Sequence, residues 1–219
     1  VGARLVRDGH DVLFCDIDAD HVAAMNDGGL SIEGPVEELT VPAPAVPPED
    51  LPDGLEHVLL AVNAQHTASA LAAIAPRLAP VGYVLSLQNG LNEPLIAAAV
   101  GAERTVGAFV NFGADYVGPG RIFVGGRGTF VIGELDGRRS DRVAVLVDAI
   151  EDARETHNVL GFLWGKMAYG AMLFGTAVSE LSIADALAEP VYRPLFVHLA
   201  QEALESATAR PEAFDGFDP

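Results

Sequence analysis

The sequence contains one cysteine and one lysine in 219 residues, and it has no long uninterrupted run of apolar side chains. A single cysteine, Cys15, excludes an internal disulfide and a zinc site built from several cysteines. No apolar segment approaches the roughly 18 residues that a membrane-spanning helix needs. No basic segment followed by an apolar one suggests a secretion signal. We therefore expect a cytoplasmic protein with neither a metal site nor a membrane segment.

Positive charge is also scarce. The chain carries 13 Lys and Arg against 31 Asp and Glu, which gives a formal net charge of −18. Phosphate backbones are bound by basic surfaces, so nucleic acid is excluded as a partner. Half of the residues are hydrophobic, which is enough to bury the core of one large or two modest domains.

Apolar runs alternate with amphipathic segments through the first 157 residues. Strands are predicted over residues 11–17, 57–62, 82–87 and 104–110 and near 121–124 and 129–134, helices over 1–8, 19–27, 65–78 and 94–100, and an edge strand with an extended loop over 35–53. Strands that alternate with helices indicate an α/β fold in which a doubly wound parallel sheet is covered by helices.

The pattern then becomes helical. We predict a helix over 140–151, a short strand over 153–156, and helices over 160–180, 182–188 and 191–209. The expected organisation is a Rossmann-type dinucleotide-binding domain over residues 1–157 and a helical domain for substrate binding or dimerisation over residues 158–219. A Rossmann unit opens with a strand and a glycine-rich turn. Because the first predicted element is a helix, we expect that strand and turn to lie before Val1.

Asp16 lies near the end of the predicted strand at 11–17, where Rossmann proteins place the carboxylate that binds the ribose hydroxyls of the cofactor. A carboxylate there repels a 2′-phosphate, and no Arg or Lys lies between Arg7 and Arg77. These features favour NAD over NADP. The alternative is that Asp16 and Asp18 only cap the following helix.

Lys166 is the only lysine of the chain and lies within the apolar segment GFLWGKMAYGAMLFG. The sequence uses arginine for its other cations, so a single lysine indicates a task that arginine does not perform. An ammonium is compact and can release its proton, whereas a guanidinium stays charged. A carbonyl reductase needs such a donor as hydride arrives. The alternative is a lysine that only packs its stem against the helix surface.

Five segments together resemble the ketopantoate reductase (2-dehydropantoate 2-reductase) family of pantothenate biosynthesis. They are GHDVLFCD at 9–16, LLAVNAQHTASAL at 59–71, SLQNGLNE at 86–93, VGAFVNFGADYVGPGRI at 106–122 and LWGKMAYGAMLFGTAVSEL at 163–181. The resemblance implies an oxidoreductase that transfers hydride from NADPH to a 2-oxo acid. It makes Lys166 the catalytic lysine and Asn89 a catalytic residue that also contacts the nicotinamide ribose and the substrate. It places Asn111 at the cofactor cleft. It allows a homodimer, and it implies further substrate-binding helices beyond Pro219.

Several positions depart from the family pattern. Asn63, expected at the cofactor, stands where the family often has a lysine, and Ile17 stands where it often has an arginine for the 2′-phosphate. The resemblance therefore implies NADP, while Asp16 and Ile17 favour NAD. Gly170 and Phe174 replace asparagines that hold the substrate in the family, which predicts a more apolar or differently shaped substrate pocket.

Two other functions fit the same pattern. One is a dehydrogenase of the 6-phosphogluconate or 3-hydroxyacid type, although the apolar surroundings of Lys166 do not suit a phosphorylated substrate. The other is a catalytically silent dinucleotide-binding protein that senses redox state. The absence of the family's asparagines at Gly170 and Phe174 favours this sensor, and the presence of the catalytic lysine opposes it.

Overall fold

The computed structural model of the chain describes residues 1–208. The end of the last predicted helix, at residue 209, lies outside the described residues, as does the rest of the predicted helical domain to residue 219. The helices and strands in chain order are α1 (Gly2–Arg7), β1 (Phe14–Cys15), α2 (Ala19–Gly28), β2 (Leu30–Glu33), β3 (Leu39–Val41), β4 (Ala45–Val46), β5 (Leu55–Leu60), α3 (Thr67–Ile74), β6 (Leu78–Ser86), α4 (Glu93–Val100), β7 (Thr105–Asn111), β8 (Ala114–Gly118), β9 (Arg121–Val124), β10 (Thr129–Glu134), α5 (Asp141–Ala149), β11 (Ala153–Glu155), α6 (Val159–Gly175), α7 (Ile183–Ala188) and α8 (Arg193–Thr208).

The strands form three sheets. The central sheet has five strands in the order β11-β10-β7-β6-β5, a second has four in the order β3-β2-β9-β8, and β1 pairs with β4 in a third. Within the central sheet, β5, β6 and β7 run parallel to one another. Their carboxyl ends therefore lie along one edge of the sheet.

Both faces of the central sheet are covered by helices, which confirms the predicted doubly wound α/β architecture. Successive side chains of a strand point to opposite faces. On β6, Tyr83 and Leu85 join a buried cluster with residues of α1 and α5, while Val84 joins a different cluster with residues of α3 and α4. Strands buried on both faces have continuous apolar sequences, which is why β6 and β7 are recognisable in the sequence, and the apolar residues Val58–Leu60 make β5 recognisable.

The central sheet is mixed, whereas the prediction specified a parallel sheet without an antiparallel pair. β10 pairs antiparallel with β7 and then parallel with β11, so the sheet is mixed. The apolar run at 129–134 indicates a buried strand, but burial does not set the direction of a strand. β2 and β8 were not predicted, because both are short and neither has a strongly apolar run.

The change from mixed to helical elements falls between β11 and α6, near residue 157 as predicted, and the division into two domains stays a prediction. α6 is shorter than predicted and ends at Gly175. Within residues 1–208, no helix combines the length and apolar character that crossing a membrane requires.

Candidate active site

Three predicted site residues lie along the carboxyl edge of the parallel strands. Asn63 follows β5, Asn89 follows β6, and Asn111 is the last residue of β7. All three are exposed. In open α/β sheets, ligands bind outside the carboxyl ends of the strands. The structure therefore brings these asparagines, 48 positions apart from the first to the last, to the edge where such a fold binds ligands.

The loop that carries Asn89 is a tight connection between β6 and α4. Gly90 has a φ of +96°, a conformation that glycine adopts without the steric cost that a side chain would add. The Asn92 side chain donates a hydrogen bond to the carbonyl oxygen of Asn89 at 2.9 Å. The loop backbone is thus held from within, and the Asn89 side chain is left exposed.

Lys166 reaches this loop from α6. Its Nζ donates a hydrogen bond to Asn89 Oδ1 at 2.6 Å and another to the carbonyl oxygen of Val110. The same Nζ lies 5.5 Å from the ring centroid of Phe109, a distance at which the ring attracts a cation. The two residues predicted to be catalytic, 77 positions apart in sequence, are in direct contact.

The surroundings of Lys166 alter its acidity. The side chain is half-buried, and burial disfavours the charged form. This desolvation lowers the pKa of the Lys166 ammonium from its ordinary value of 10.5. A lower pKa makes the proton easier to release, which suits a general acid working near neutral pH.

Two glycines let α6 approach the sheet closely enough for this contact. A Cβ at Gly107 would lie 3.1 Å from the side chain of Val159, the first residue of α6. One at Gly133 would lie 3.3 Å from Val159 Cβ and 2.5 Å from the carbonyl oxygen of Thr156, just before the helix. From Val159 to Lys166 the helix advances about 10.5 Å. From Gly107 to Val110 the strand advances about 10 Å. α6 therefore runs along β7 in a register that brings Lys166 beside Val110.

Gly170 and Phe174 follow Lys166 at intervals of four on α6, so the three residues lie along one side of the helix. A Cβ at Gly170 would meet no atom within 4 Å. The Phe174 side chain is 84% exposed. The space beside Gly170 is therefore open.

Asp16 and Asp18 have different surroundings. Asp18 is the N-cap of α2 and accepts hydrogen bonds from the backbone N–H groups of Asp20 and His21, which confirms the capping alternative for Asp18. The hydrogen bond from His21 is the main reason that the pKa of the Asp18 carboxyl is lowered. Asp16 does not cap the helix. Its Oδ1 accepts a hydrogen bond from the N–H of Asp18 at 2.9 Å, and Ile17 between them is 78% exposed.

A shallow depression adjoins the turn after β1. Its volume is about 340 Å³, and it is lined by Ile17, Ala19, Val22, Ala23, Pro47, Pro48 and Glu49. Most of the lining residues are apolar, and one of them, Ile17, directly follows Asp16 in the sequence. Its position and character suit a flat, largely apolar ring system.

Sequence reasoning did not identify three buried polar residues around the Asn89 loop. Gln88 and Asn92 flank the predicted residue, and Thr67 starts α3. All three are nearly inaccessible, with exposures of 3%, 7% and 0% respectively. A polar residue at the end of a buried strand could have signalled Gln88. Nothing in the sequence indicates that Thr67 lies beside it.

Fold and site together define a Rossmann-type α/β protein with a lysine–asparagine pair at the carboxyl edge of its parallel strands. The family model described as Ketopantoate reductase PanE/ApbA matches residues 1–137. The chain belongs to the ketopantoate reductase family.

Individual relatives are distant in sequence. The chain is 26% identical to the 2-dehydropantoate 2-reductase of Streptococcus pyogenes serotype M6 over 189 residues, which are 84% of this chain and 60% of the relative. It is also 26% identical in sequence to the 2-dehydropantoate 2-reductase of Geobacter metallireducens. The crystal structure of that protein matches with a TM-score of 0.86, and the match covers all of this chain and 73% of that one. The chain thus spans about 60% of the length of the curated relative.

A D-mandelate dehydrogenase, solved with NADH and anilino(oxo)acetate, shares the fold. Its TM-score is 0.84 at 21% identity, covering 98% of this chain and 71% of that structure. These comparisons do not favour the 6-phosphogluconate-type dehydrogenase or the silent sensor.

Proposed function

We propose that the complete protein containing this chain is a nicotinamide-dependent reductase of 2-oxo acids, with Lys166 as proton donor. The observation that carries the proposal is the 2.6 Å hydrogen bond from Lys166 Nζ to Asn89 Oδ1 at the carboxyl edge of the sheet. Membership of the ketopantoate reductase family supports it. Ketopantoate and related 2-oxo acids form the substrate class.

The residues of the chain suggest how the reduction proceeds. The bound cofactor supplies the hydride that reduces the 2-oxo carbon. The Lys166 ammonium has three N–H donors, and two of them are taken by Asn89 Oδ1 and the carbonyl oxygen of Val110. The third is left for the carbonyl oxygen of the substrate. Lys166 stabilises the negative charge that develops there and transfers its proton to that oxygen.

Asn89 acts as a positioning residue for Lys166 and as a contact for cofactor and substrate. Its Oδ1 accepts from the ammonium, so its amide nitrogen is available to donate to a ligand. Asn63 and Asn111, which are exposed on the same edge, are the other proposed cofactor contacts. Neutral amides at these positions suit hydroxyl and amide groups of a nicotinamide nucleoside.

We propose NADH as the preferred cofactor. Asp16, a carboxylate directly after β1, suits the ribose hydroxyls and repels a 2′-phosphate. Ile17 provides no positive charge for that phosphate and lines the apolar depression, which suits the adenine ring. The resemblance to the family implies NADPH instead, so the preference is a testable feature of this chain.

The proposed substrate has an apolar or bulky acyl group. The open space beside Gly170 and the exposed ring of Phe174 lie on the same side of α6 as Lys166. Asparagines at these two positions would instead offer hydrogen bonds to a hydroxylated substrate. Ketopantoate carries a hydroxyl group, so we expect it to be a weaker substrate than an alkyl or aryl 2-oxo acid.

The test is the loss of NADH and NADPH absorbance with a panel of 2-oxo acids, using the complete protein. We expect turnover with NADH and a higher kcat/KM for apolar substrates than for ketopantoate. The Ile17→Arg variant should raise kcat/KM for NADPH, since it adds a cation where the 2′-phosphate would lie. Equal use of both cofactors by the unmodified protein would contradict the interpretation of Asp16. No turnover of any 2-oxo acid would contradict the function.

A further inference from the structure

A chain of hydrogen bonds, two buried and two partly buried, connects the segments that follow β5 and β6. Gln88 Nε2 donates to the carbonyl oxygen of Val62 at 2.6 Å and to Thr67 Oγ1 at 2.8 Å. Thr67 Oγ1 donates to Asn92 Oδ1 at 3.3 Å. Asn92 Nδ2 donates to the carbonyl oxygen of Asn89 at 2.9 Å. The first segment carries Asn63, and the second carries Asn89.

The direction of every bond in this chain is fixed. A carbonyl oxygen such as that of Val62 can only accept, so the Gln88 group that faces it must be its NH₂. Because Gln88 also donates to Thr67 Oγ1, the hydroxyl proton of Thr67 is free to point at Asn92 Oδ1. Asn92 then presents its own NH₂ to the carbonyl oxygen of Asn89. The four bonds are mutually consistent. If the amide of Gln88 or Asn92 were inverted, its oxygen would face a backbone carbonyl oxygen, and neither atom could donate.

The network is well placed to control Lys166. Asn89 is held through its backbone carbonyl by Asn92, while its side chain receives the ammonium of Lys166. Thr67 lies at the centre, contacts both amides and is fully buried. A buried polar group that loses its partner carries a desolvation penalty, so removal of the Thr67 hydroxyl would penalise both amides that it contacts. Within residues 1–208, Gln88 Oε1 is buried without a hydrogen-bond partner, so the network depends on its four N–H and O–H donations.

We infer that Gln88, Thr67 and Asn92 form a positioning network that holds Asn89, and through Asn89 the ammonium of Lys166, in the geometry needed for proton transfer. This inference rests on the proposed function for its kinetic consequences. The network touches neither substrate nor cofactor in this account. It acts only by fixing the loop of residues 87–92 to the loop of residues 61–67.

The decisive variant is Thr67→Val, which keeps the shape of the side chain and removes the hydroxyl at the centre of the network. Thr105→Val is the matched control, because Thr105 is equally buried and also donates one hydrogen bond, to the carbonyl oxygen of Gly101. Thr105 is the first residue of β7, at the end of the strand opposite Asn111. Thr67→Ser is the conservative variant, because it retains the hydroxyl.

We expect Thr67→Val to lower kcat about tenfold, and the Thr105→Val control to change kcat by less than about twofold. The alkaline fall of the kcat/KM profile should move to lower pH in Thr67→Val, because a displaced Asn89 no longer favours the charged form of Lys166. It should stay in place in Thr105→Val. A general loss of stability would reduce the amount of active protein without moving the profile. Thr67→Ser should regain both kcat and the original profile.

Amide hydrogen exchange provides a readout that does not depend on turnover. In Thr67→Val, amides of residues 61–67 and 87–92 should exchange faster, and in Thr105→Val they should not. Asn92→Ala cuts the network one bond closer to Asn89 and serves as the second variant should Thr67→Val fail to fold. Equal effects of Thr67→Val and Thr105→Val on kcat, profile and exchange would overturn the network. If the unmodified protein reduces no 2-oxo acid, the proposed function fails, and the exchange pattern alone decides on the network.

Discussion

The two halves of α6 differ in how firmly the structure holds them. All four buried residues of the helix, Val159, Gly161, Leu163 and Ala168, lie in its first ten positions. The second half carries Tyr169, which is 51% exposed, and Phe174, which is 84% exposed. The first half packs against β7 and β10 and contains the proposed proton donor, Lys166. The second half presents open space and an exposed ring.

This difference separates two kinds of function along one helix. The half that packs on glycines of the sheet fixes the position of Lys166, and we propose that it determines the reaction. The half that follows packs against α8, where a Cβ at Gly175 would lie 2.6 Å from the Leu199 side chain. Its other side, with Gly170 and Phe174, is open, and we propose that this side determines which acyl group is accepted. Substitutions in the first half should therefore affect kcat or folding. Those in the second should affect substrate preference.

Removal of the Lys166 amine should produce the largest effect. Loss of a general acid costs about 10²–10⁴-fold in rate, so Lys166→Ala should lower kcat by that factor in the NADH assay. Binding of NADH, followed by fluorescence, should change little, because the cofactor contacts come mainly from other elements.

Two controls sharpen this result. Lys166→Arg keeps a positive charge but cannot release a proton near neutral pH, so it should not restore kcat. Met167→Ala shortens the neighbouring side chain, which is 39% exposed, and should leave kcat within a few-fold of the original. A Lys166→Ala protein with undiminished kcat would contradict the assignment.

A methyl group added where α6 meets the sheet should disturb folding. In Gly133→Ala the new Cβ would lie 2.5 Å from the backbone carbonyl oxygen of Thr156. Because backbone must shift to relieve this overlap, the free energy of unfolding should fall by about 1–3 kcal/mol. Chemical denaturation measures the change. An unchanged midpoint would show that the glycine is not needed for the approach of the helix.

The same substitution in the second half of α6 should have the opposite sign. A Cβ at Gly170 would meet no atom within 4 Å, and alanine is favoured over glycine in a helix by about 0.8–1.0 kcal/mol. Gly170→Ala should therefore raise the free energy of unfolding by about that amount. It should also increase KM for the bulkiest 2-oxo acids, since it fills the space beside Lys166. A fall in stability would mean that this position is packed.

Truncation of the exposed ring should have the smallest effect on folding. Phe174→Ala removes a side chain that is 84% exposed, so the free energy of unfolding should change by no more than about 0.5 kcal/mol. Its effect should appear in KM for aryl 2-oxo acids and not in kcat. A large loss of stability, or a change confined to kcat, would contradict the division of α6 into two halves.

The sequence predicted the parts of the fold that depend on burial. β5, β6 and β7 are apolar enough to be recognised, and the change to helices after residue 157 was visible in the pattern. The antiparallel pairing of β10 with β7 was not predicted, because an apolar run does not show whether the strand runs parallel or antiparallel to its neighbour. The short strands β2 and β8 were also not predicted, since neither has a strongly apolar run, although each pairs with the next strand along the chain.

The candidate site was also predictable only in part. Lys166 was identified by its rarity and Asn89 by its motif, and the structure brings the two side chains into contact. The contribution of Thr67 was not predictable. A buried threonine has no sequence signature, and its partners Gln88 and Asn92 are 21 and 25 positions away. The contact is observed, but the roles of all five residues stay predictions: Lys166, Asn89, Asp16, Asn63 and Asn111.

The most direct test of the central claim is the pH dependence of kcat/KM for NADH-driven reduction by the complete protein. The charged form of Lys166 must donate, and burial lowers the pKa of this ammonium below its ordinary value of 10.5. Activity should therefore fall as pH rises through a pKa below 10.5. In Asn89→Asp the fall should move to higher pH, because a neighbouring carboxylate favours the charged lysine. An alkaline limb that stays at the same pH in Asn89→Asp would contradict the account.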